Sequence, residues 1–196
     1  MDAYKTIGQS AEGTFRDRNS RFLAFGHPVT SVDEALEIVE GLRKKYHDAR
    51  HHCYAYRIGV ESEQTRMNDD GEPSGTAGKP IYNQILTHQV TNILVVVVRY
   101  FGGTLLGTGG LINAYKSATA DMFEHAVIAE RFIIQTIELK FPYEKLNSVM
   151  RILKDEDLIP VHPVYEMDCS MQLHVRKGSC DKVIQKLSAI DNIHIK

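Results

Sequence analysis

The chain contains no tryptophan and only three cysteines among its 196 residues. Cys53, Cys169 and Cys180 are widely spaced and odd in number, with no C-x-x-C pair and no zinc-ligand spacing. That excludes a disulfide framework and a structural metal centre of the usual kind, and reduced thiols in a cytoplasmic protein are the simplest account. Long apolar runs are absent too. The longest stretch, Ile93 to Val98, falls far short of the roughly 20 residues a membrane span needs. The N-terminal segment MDAYKTIGQSAEGTF is polar and has no apolar core of a secretory signal. Nor is there an excess of either charge: 23 Lys and Arg stand against 25 Asp and Glu, for a net charge of −2. Residues 126–196 carry ten of each sign, so neither half offers a global attraction for nucleic acid or acidic lipid. Any nucleic-acid binding has to come from a local basic patch. No repeat or low-complexity tract is present. These absences predict a soluble cytoplasmic protein with no membrane contact, no metal and no cofactor.

What is present is concentrated between Ile93 and Tyr115. ILVVVV has the composition of a strand buried on both faces. RYFGGTLLGTGGLINAY follows, with Gly102, Gly103, Gly107, Gly109 and Gly110 packed into nine residues before a helical pattern that begins at Leu111. Strand, glycine loop and helix N-terminus together can cradle an anion. They can equally form a tight crossover. The common nucleotide signatures do not fit: Gly78-Lys79 is followed by Pro80 rather than Ser or Thr, and Gly107-Thr108-Gly109 meets Ile112 where a dinucleotide fingerprint needs glycine.

Upstream, Arg21 to Phe25 reads as a strand. Ser31 with Glu34 forms a capping box for a helix whose apolar residues run Ala35, Leu36, Val39, Leu42 and Tyr46. His51 to Val60 reads as a strand, Glu61 to Pro80 as a long polar segment containing DDGEPSGTAGKP, and Ile81 to Val90 as a short helix. A boundary falls near Ala126 to Arg131. Beyond it the pattern is strand 132–140, helix 143–155, strands 159–165 and 168–176, helix 179–190 and strand 193–195. That is the β-α-β-β-α-β order of a ferredoxin-like domain.

Three sets of residues invite a functional reading. Arg99 with Tyr100 and Phe101 offers a guanidinium for phosphate and rings for stacking, and Arg21, Lys79 and Lys116 are further cations for the same anion. The plain structural alternative pairs Arg99 with Asp69, Asp70 or Glu72 and places both rings in the core. Asp69, Asp70, Gly71, Glu72, Ser74 and Gly75 form a second candidate, a functional loop that orders over the glycines. Its acids do not have calcium-loop spacing, and a solvated turn is the simpler reading. His51, His52 and Cys53 form the third set. Strand alternation places His52 opposite the other two, so they do not converge on one ion. Ser74 sits in P-S-G-T, outside a hydrolase elbow. No catalytic constellation emerges.

Four segments, SRF at 20–22, HHCYAYRIG at 51–59, DDGEPSGTAGKPI at 69–81 and RYFGGTLLGTGGL at 99–111, together resemble the YigZ/IMPACT family over nearly the whole chain. One departure is Asn113, where bacterial members often carry a basic residue. The resemblance implies an α+β protein of two domains. Residues 1–127 would fold like the second domain of ribosomal protein S-five and domain IV of elongation factor G. Residues 131–196 would form the ferredoxin-like domain, like that factor's domain V. The eukaryotic relative IMPACT modulates translational control by competing for the activator of an initiation-factor kinase. The resemblance therefore implies a non-enzymatic regulator that binds RNA, the ribosome or a translation-associated protein. A nucleotide-dependent enzyme on the S-five-like fold and a pure protein adaptor are the alternatives. Fold likeness alone places no site.

Overall fold

The computed structural model describes residues 2–196 and divides into two compact units, Tyr4–Arg131 and residues 132–196 joined by residues 2–3. The break falls between Arg131 and Phe132. It lies within the last strand of a two-stranded ribbon, β1 (Ala3–Ile7) with β7 (Ile128–Phe132), in a segment the sequence presents as a linker.

In the first unit, β2 (Ala11–Asp17), β3 (Ser20–Pro28), β4 (His51–Ile58), β5 (Gln64–Asn68) and β6 (Ile93–Tyr100) form an antiparallel sheet in the order β2-β3-β6-β4-β5. The valine strand β6 is central, and everything from Ile93 to Arg99 is buried. Alternate residues feed two cores, as strand geometry requires. Val95 and Val97, with Phe22, Ala24, Cys53 and Ala55, pack under α2 (Gly78–Thr87) and α3 (Gly107–His125). Leu94, Val96 and Val98, with Phe25, Tyr54 and Tyr56, pack against α1 (Val32–Lys45). The sheet is thus covered on both faces, which explains the unbroken apolar run.

Local signals set the element ends. Ser31 Oγ accepts the Glu34 N–H and caps α1, while Glu34 reaches back to the Thr30 N–H rather than to that of Ser31. Helix α2 starts three residues before Ile81, because the Asp69 carboxylate accepts the N–H groups of Gly75, Ala77 and Gly78. Helix α3 likewise starts at Gly107 rather than Leu111. Strands β1, β2 and β5 fall in segments whose polar composition gives them no strand signature.

The second unit follows the predicted order: β8 (Ile134–Pro142), α4 (Leu146–Asp155) after a short 3-10 turn, β9 (Pro160–Val164), β10 (Asp168–Arg176), α5 (Cys180–Ser188) and β11 (His194–Ile195). Its sheet runs β11-β8-β10-β9, all antiparallel, the ferredoxin-like arrangement. Val149, Leu153, Val183 and Leu187 from the helices close its core. No helix among the described residues is long and apolar enough to cross a membrane.

Candidate functional site

The acidic segment is an ordered node that ties five elements of the first unit together, α1, α2, α3, β4 and β6. Asp69 caps α2. Asp70, held in the left-handed region at φ 42°, accepts from Arg43 of α1 at 2.8 Å and from the backbone N–H of His52 at 2.6 Å. Glu72 is 9% exposed, and its Oε1 accepts from Arg99 at 2.6 Å and from the Tyr115 hydroxyl at 2.8 Å. His51 Nε2 stands 3.9 Å from the same oxygen. The expectation of a solvated turn is therefore corrected, because the chain turns its acids inward onto buried donors. Gly71 and Gly75, at φ 86° and 75°, supply the left-handed bends this requires. Ser74 is exposed on the outside of the loop.

Arg99 belongs to this node. Its residue is 5% exposed, and its guanidinium lies over the Phe22 ring at 5.4 Å and the Phe101 ring at 5.6 Å. The reading of Arg99 as an open phosphate grip is corrected: the partner it reaches is Glu72. Cys53 lies below, its sulfur 3.0 Å from the Asp69 carbonyl and 3.2 Å from the Tyr115 hydroxyl. Burial pushes the Cys53 thiol and the Tyr115 phenol far above their ordinary ranges. A thiol so hard to ionise is a poor nucleophile. Among the described residues no three His, Cys, Asp or Glu side chains are placed to hold a metal.

The two rings, for which the core is the plain alternative, differ: Tyr100 packs against the core under α1, and Phe101 does not. Phe101 is 41% exposed, and half-buried Tyr100 donates its hydroxyl to Asp48 at 2.8 Å. The Arg21 guanidinium sits 4.7 Å from the Tyr100 ring centre. Arg21 is also directly opposite Arg16 across the β2–β3 ladder. Between them the hairpin turns through Arg18 and Asn19, both in the left-handed region at φ 45° and 64°, as a two-residue turn of this hand demands. Arg16, Arg18, Arg21 and Tyr100 line a cavity of about 500 Å³ that Asp17 also borders. Among the described residues no carboxylate comes within ion-pair distance of these three arginines.

The glycine loop adjoins this basic end. Arg18 Nη1 donates to the Leu105 carbonyl at 3.3 Å, and a Cβ on Gly102 would lie 2.1 Å from the Asn19 carbonyl carbon. Gly102 therefore permits the hairpin to press against the loop. Gly103 and Gly107 have φ 84° and 70°. Around Gly103, Gly107 and Gly109 the space is open, while Gly110 packs on the Leu106 side chain. Leu105 is 81% exposed. The first turn of α3 has no acid and no side-chain cap, which leaves its N–H groups available to an anion.

Lys79 and Lys116 come together elsewhere, in a separate cleft between α2 and α3 that Gly75 also lines. The predicted cations are thus distributed over three places: Arg21 at the basic hairpin end, Arg99 in the buried node, Lys79 and Lys116 in the cleft.

A model of the Impact N-terminal domain matches residues 18–123, a span that contains the node, the glycine loop and the cleft. The chain belongs to the IMPACT family. It is similar to the IMPACT family member YvyE of Bacillus subtilis, 28% identical over 192 residues, covering 98% of this chain and 88% of that one. It is 38% identical over 138 residues to the IMPACT family member YigZ of Escherichia coli, covering 69% and 68% of the two chains. A solved structure described as a hypothetical protein aligns with all of this chain and 97% of its own, at TM-score 0.78 and 29% identity.

In this IMPACT-family chain the residues that sequence reasoning missed are Arg16, Arg18 and Tyr115. A signal existed for the first two: R-D-R-N-S-R around a two-residue turn places the outer arginines opposite each other. Tyr115 reads as an ordinary helix position, and only the tertiary structure gives its hydroxyl a role.

Proposed function

We propose that this protein is a non-enzymatic regulator linked to translation, which binds RNA or the ribosome through the hairpin and glycine-loop end of its first unit. The observation that carries the reading is the Arg16–Arg21 pair. Like charges directly opposite on a ladder are destabilising, and among the described residues no carboxylate comes within ion-pair distance of these two, Asp48 acting on Arg21 only from farther off. A phosphate backbone would neutralise them. Arg18 extends the cationic surface toward the glycine loop, where the α3 N–H groups add anion donors. Tyr100 and exposed Phe101 supply stacking surfaces of the kind single-stranded RNA uses. The local patch meets the requirement that a net charge of −2 imposes. Competition with another factor for the same surface is the regulatory mode that membership in the family supports.

The test is co-sedimentation of the full chain with ribosomes at low and moderate salt, comparing Arg16→Glu and Arg18→Glu with the parent. Both side chains are exposed, so reversal leaves the core intact. The expected result is salt-sensitive pelleting that both variants lose. Absence of pelleting at either salt concentration overturns ribosome binding and directs the search to a protein partner.

A further inference from the structure

The cleft between α2 and α3 is separate from the basic hairpin end, and the reading above does not use it. Its volume is about 450 Å³, within the roughly 300–1,000 Å³ typical of small-molecule sites. One wall is a single stripe of α2: Pro80, Asn83, Gln84 and Thr87 follow one another at helical spacing. The other wall is Ile112 and Lys116, one turn apart on α3. Lys79, in the first turn of α2, stands at the rim.

Gln84 is the informative residue. It is 7% exposed, yet its carboxamide makes no hydrogen bond to any described residue, while its backbone carbonyl accepts from the His88 N–H and Nδ1. A side-chain amide can make four hydrogen bonds, and the polar atoms of this one are not sealed from solvent, so their unused capacity is open to the cleft. It lines the cleft, where a ligand can satisfy it. Neither lysine has an ion-pair partner among the described residues, and no acid lines the cleft. Two unpaired ammonium groups beside a donor-acceptor amide, with Pro80 and Ile112 as the apolar wall, specify the occupant's chemistry.

We propose that this cleft is a binding site for a small phosphate monoester. The phosphate lies between Lys79 and Lys116, and the polar body of the ligand hydrogen-bonds to Gln84. Lysine is the point-charge partner that phosphate accepts without fixed geometry. The site also lies beside the α2 cap. Gly75 lines the cleft, and its N–H is held by Asp69 next to the Glu72 node, so occupancy would tighten the segment that joins the two.

The experiment is a titration of the full ¹⁵N-labelled chain with inorganic phosphate, glycerol 3-phosphate and adenosine 5′-monophosphate, with succinate as a carboxylate comparator. A monoester is expected to move the amide signals of Lys79, Gln84, Thr87 and Lys116. Lys116→Gln, at an exposed position, should weaken binding about tenfold or more, the usual weight of a charge-assisted hydrogen bond. Gln84→Met removes the carboxamide at similar volume. It should weaken the two organic monoesters while leaving inorganic phosphate unchanged, a pattern that loss of folding would not produce. Three results overturn the proposal: no movement at the cleft with any probe, movement confined to Arg16 and Arg21, or succinate binding as tightly as the monoesters. Failure here leaves ribosome pelleting untouched, because the two tests read different residues.

Discussion

Replacing Arg99 by Met removes the cation from the buried node and keeps most of its volume. The side chains of Glu72 and Arg99 are only 4% and 6% exposed. Glu72 would keep the Tyr115 hydroxyl at 2.8 Å but lose the guanidinium at 2.6 Å, and water cannot replace it there. Breaking a buried pair by removing one partner costs about 3–5 kcal/mol. Glu72→Gln preserves shape and acceptor but strands the guanidinium, and should cost a similar amount. In the double variant no formal charge is left unpaired, so its cost should fall short of the sum by about 2 kcal/mol or more. The chain lacks tryptophan and has two compact units, so native-state hydrogen exchange at the Val95–Val98 amides is the sharper assay. It reports the first unit alone. Protection there should fall by about a hundredfold to several thousandfold in each single variant, the same free energy read as an opening constant. If the two single effects add to within about 0.5 kcal/mol, the residues are not coupled and the node is not an ion-pair network. A consequence follows for binding studies: charge reversal at Arg99 would bury two facing carboxylates, so lost binding in that variant would report lost folding.

Asp69→Ala removes the acceptor of three N–H groups at the start of α2, should cost about 2 kcal/mol, and should speed amide exchange at Gly75, Ala77 and Gly78. His27 and His52 both have pKa values lowered from 6.5, chiefly by burial, so the native state holds fewer protons than the unfolded chain just below that pH. Their contribution to stability is present above pH 6.5 and lost as pH falls from there toward the native values. Denaturation midpoints should drop between pH 7 and 5, and less steeply in His52→Gln; a midpoint that rises on acidification refutes this. Gly102→Ala meets the Asn19 backbone and should destabilise by about 3 kcal/mol or more in thermal melts. Gly109→Ala enters open space inside α3 and should stabilise by about 0.5–1 kcal/mol while weakening ribosome pelleting.

The parts of the fold legible in the sequence are those where one residue's chemistry decides its own environment. Four consecutive valines leave β6 no solvent-facing side, and Ser31 beside an apolar stripe of 3.6 period marks where α1 begins. The ferredoxin-like unit could be read in order because each of its helices and strands carries its own periodicity. Strands β1, β2 and β5 escaped because a polar edge strand is recruited by backbone pairing, which leaves no mark on side chains. The loop around Asp69 escaped for a related reason. Its acids look solvated until β4 and β6 are adjacent, and only that register brings Arg99 within reach of Glu72, 27 residues away in sequence. Arg99 and Glu72 were both visible as candidates, and their pairing as one of three, but only the fold selects Glu72 over Asp69 and Asp70.

The glycines separate packing from function on the surface that remains. Gly13, Gly78 and Gly102 are explained by backbone approaching within 2.6 Å of where a Cβ would stand, and Gly103 and Gly107 by positive φ. Gly109 has neither reason. It lies in the first turn of α3, where a helix would be more stable with alanine, and among the described residues a Cβ there would meet nothing within 4 Å beyond its own helix. A glycine that the fold does not require, on an uncapped helix end whose preceding loop binds Arg18, is what close approach of an outside backbone or phosphate calls for. Gly109 is a residue that the protein's own packing leaves free. It therefore points outward to a partner with more force than Arg99, whose charge the protein has already used.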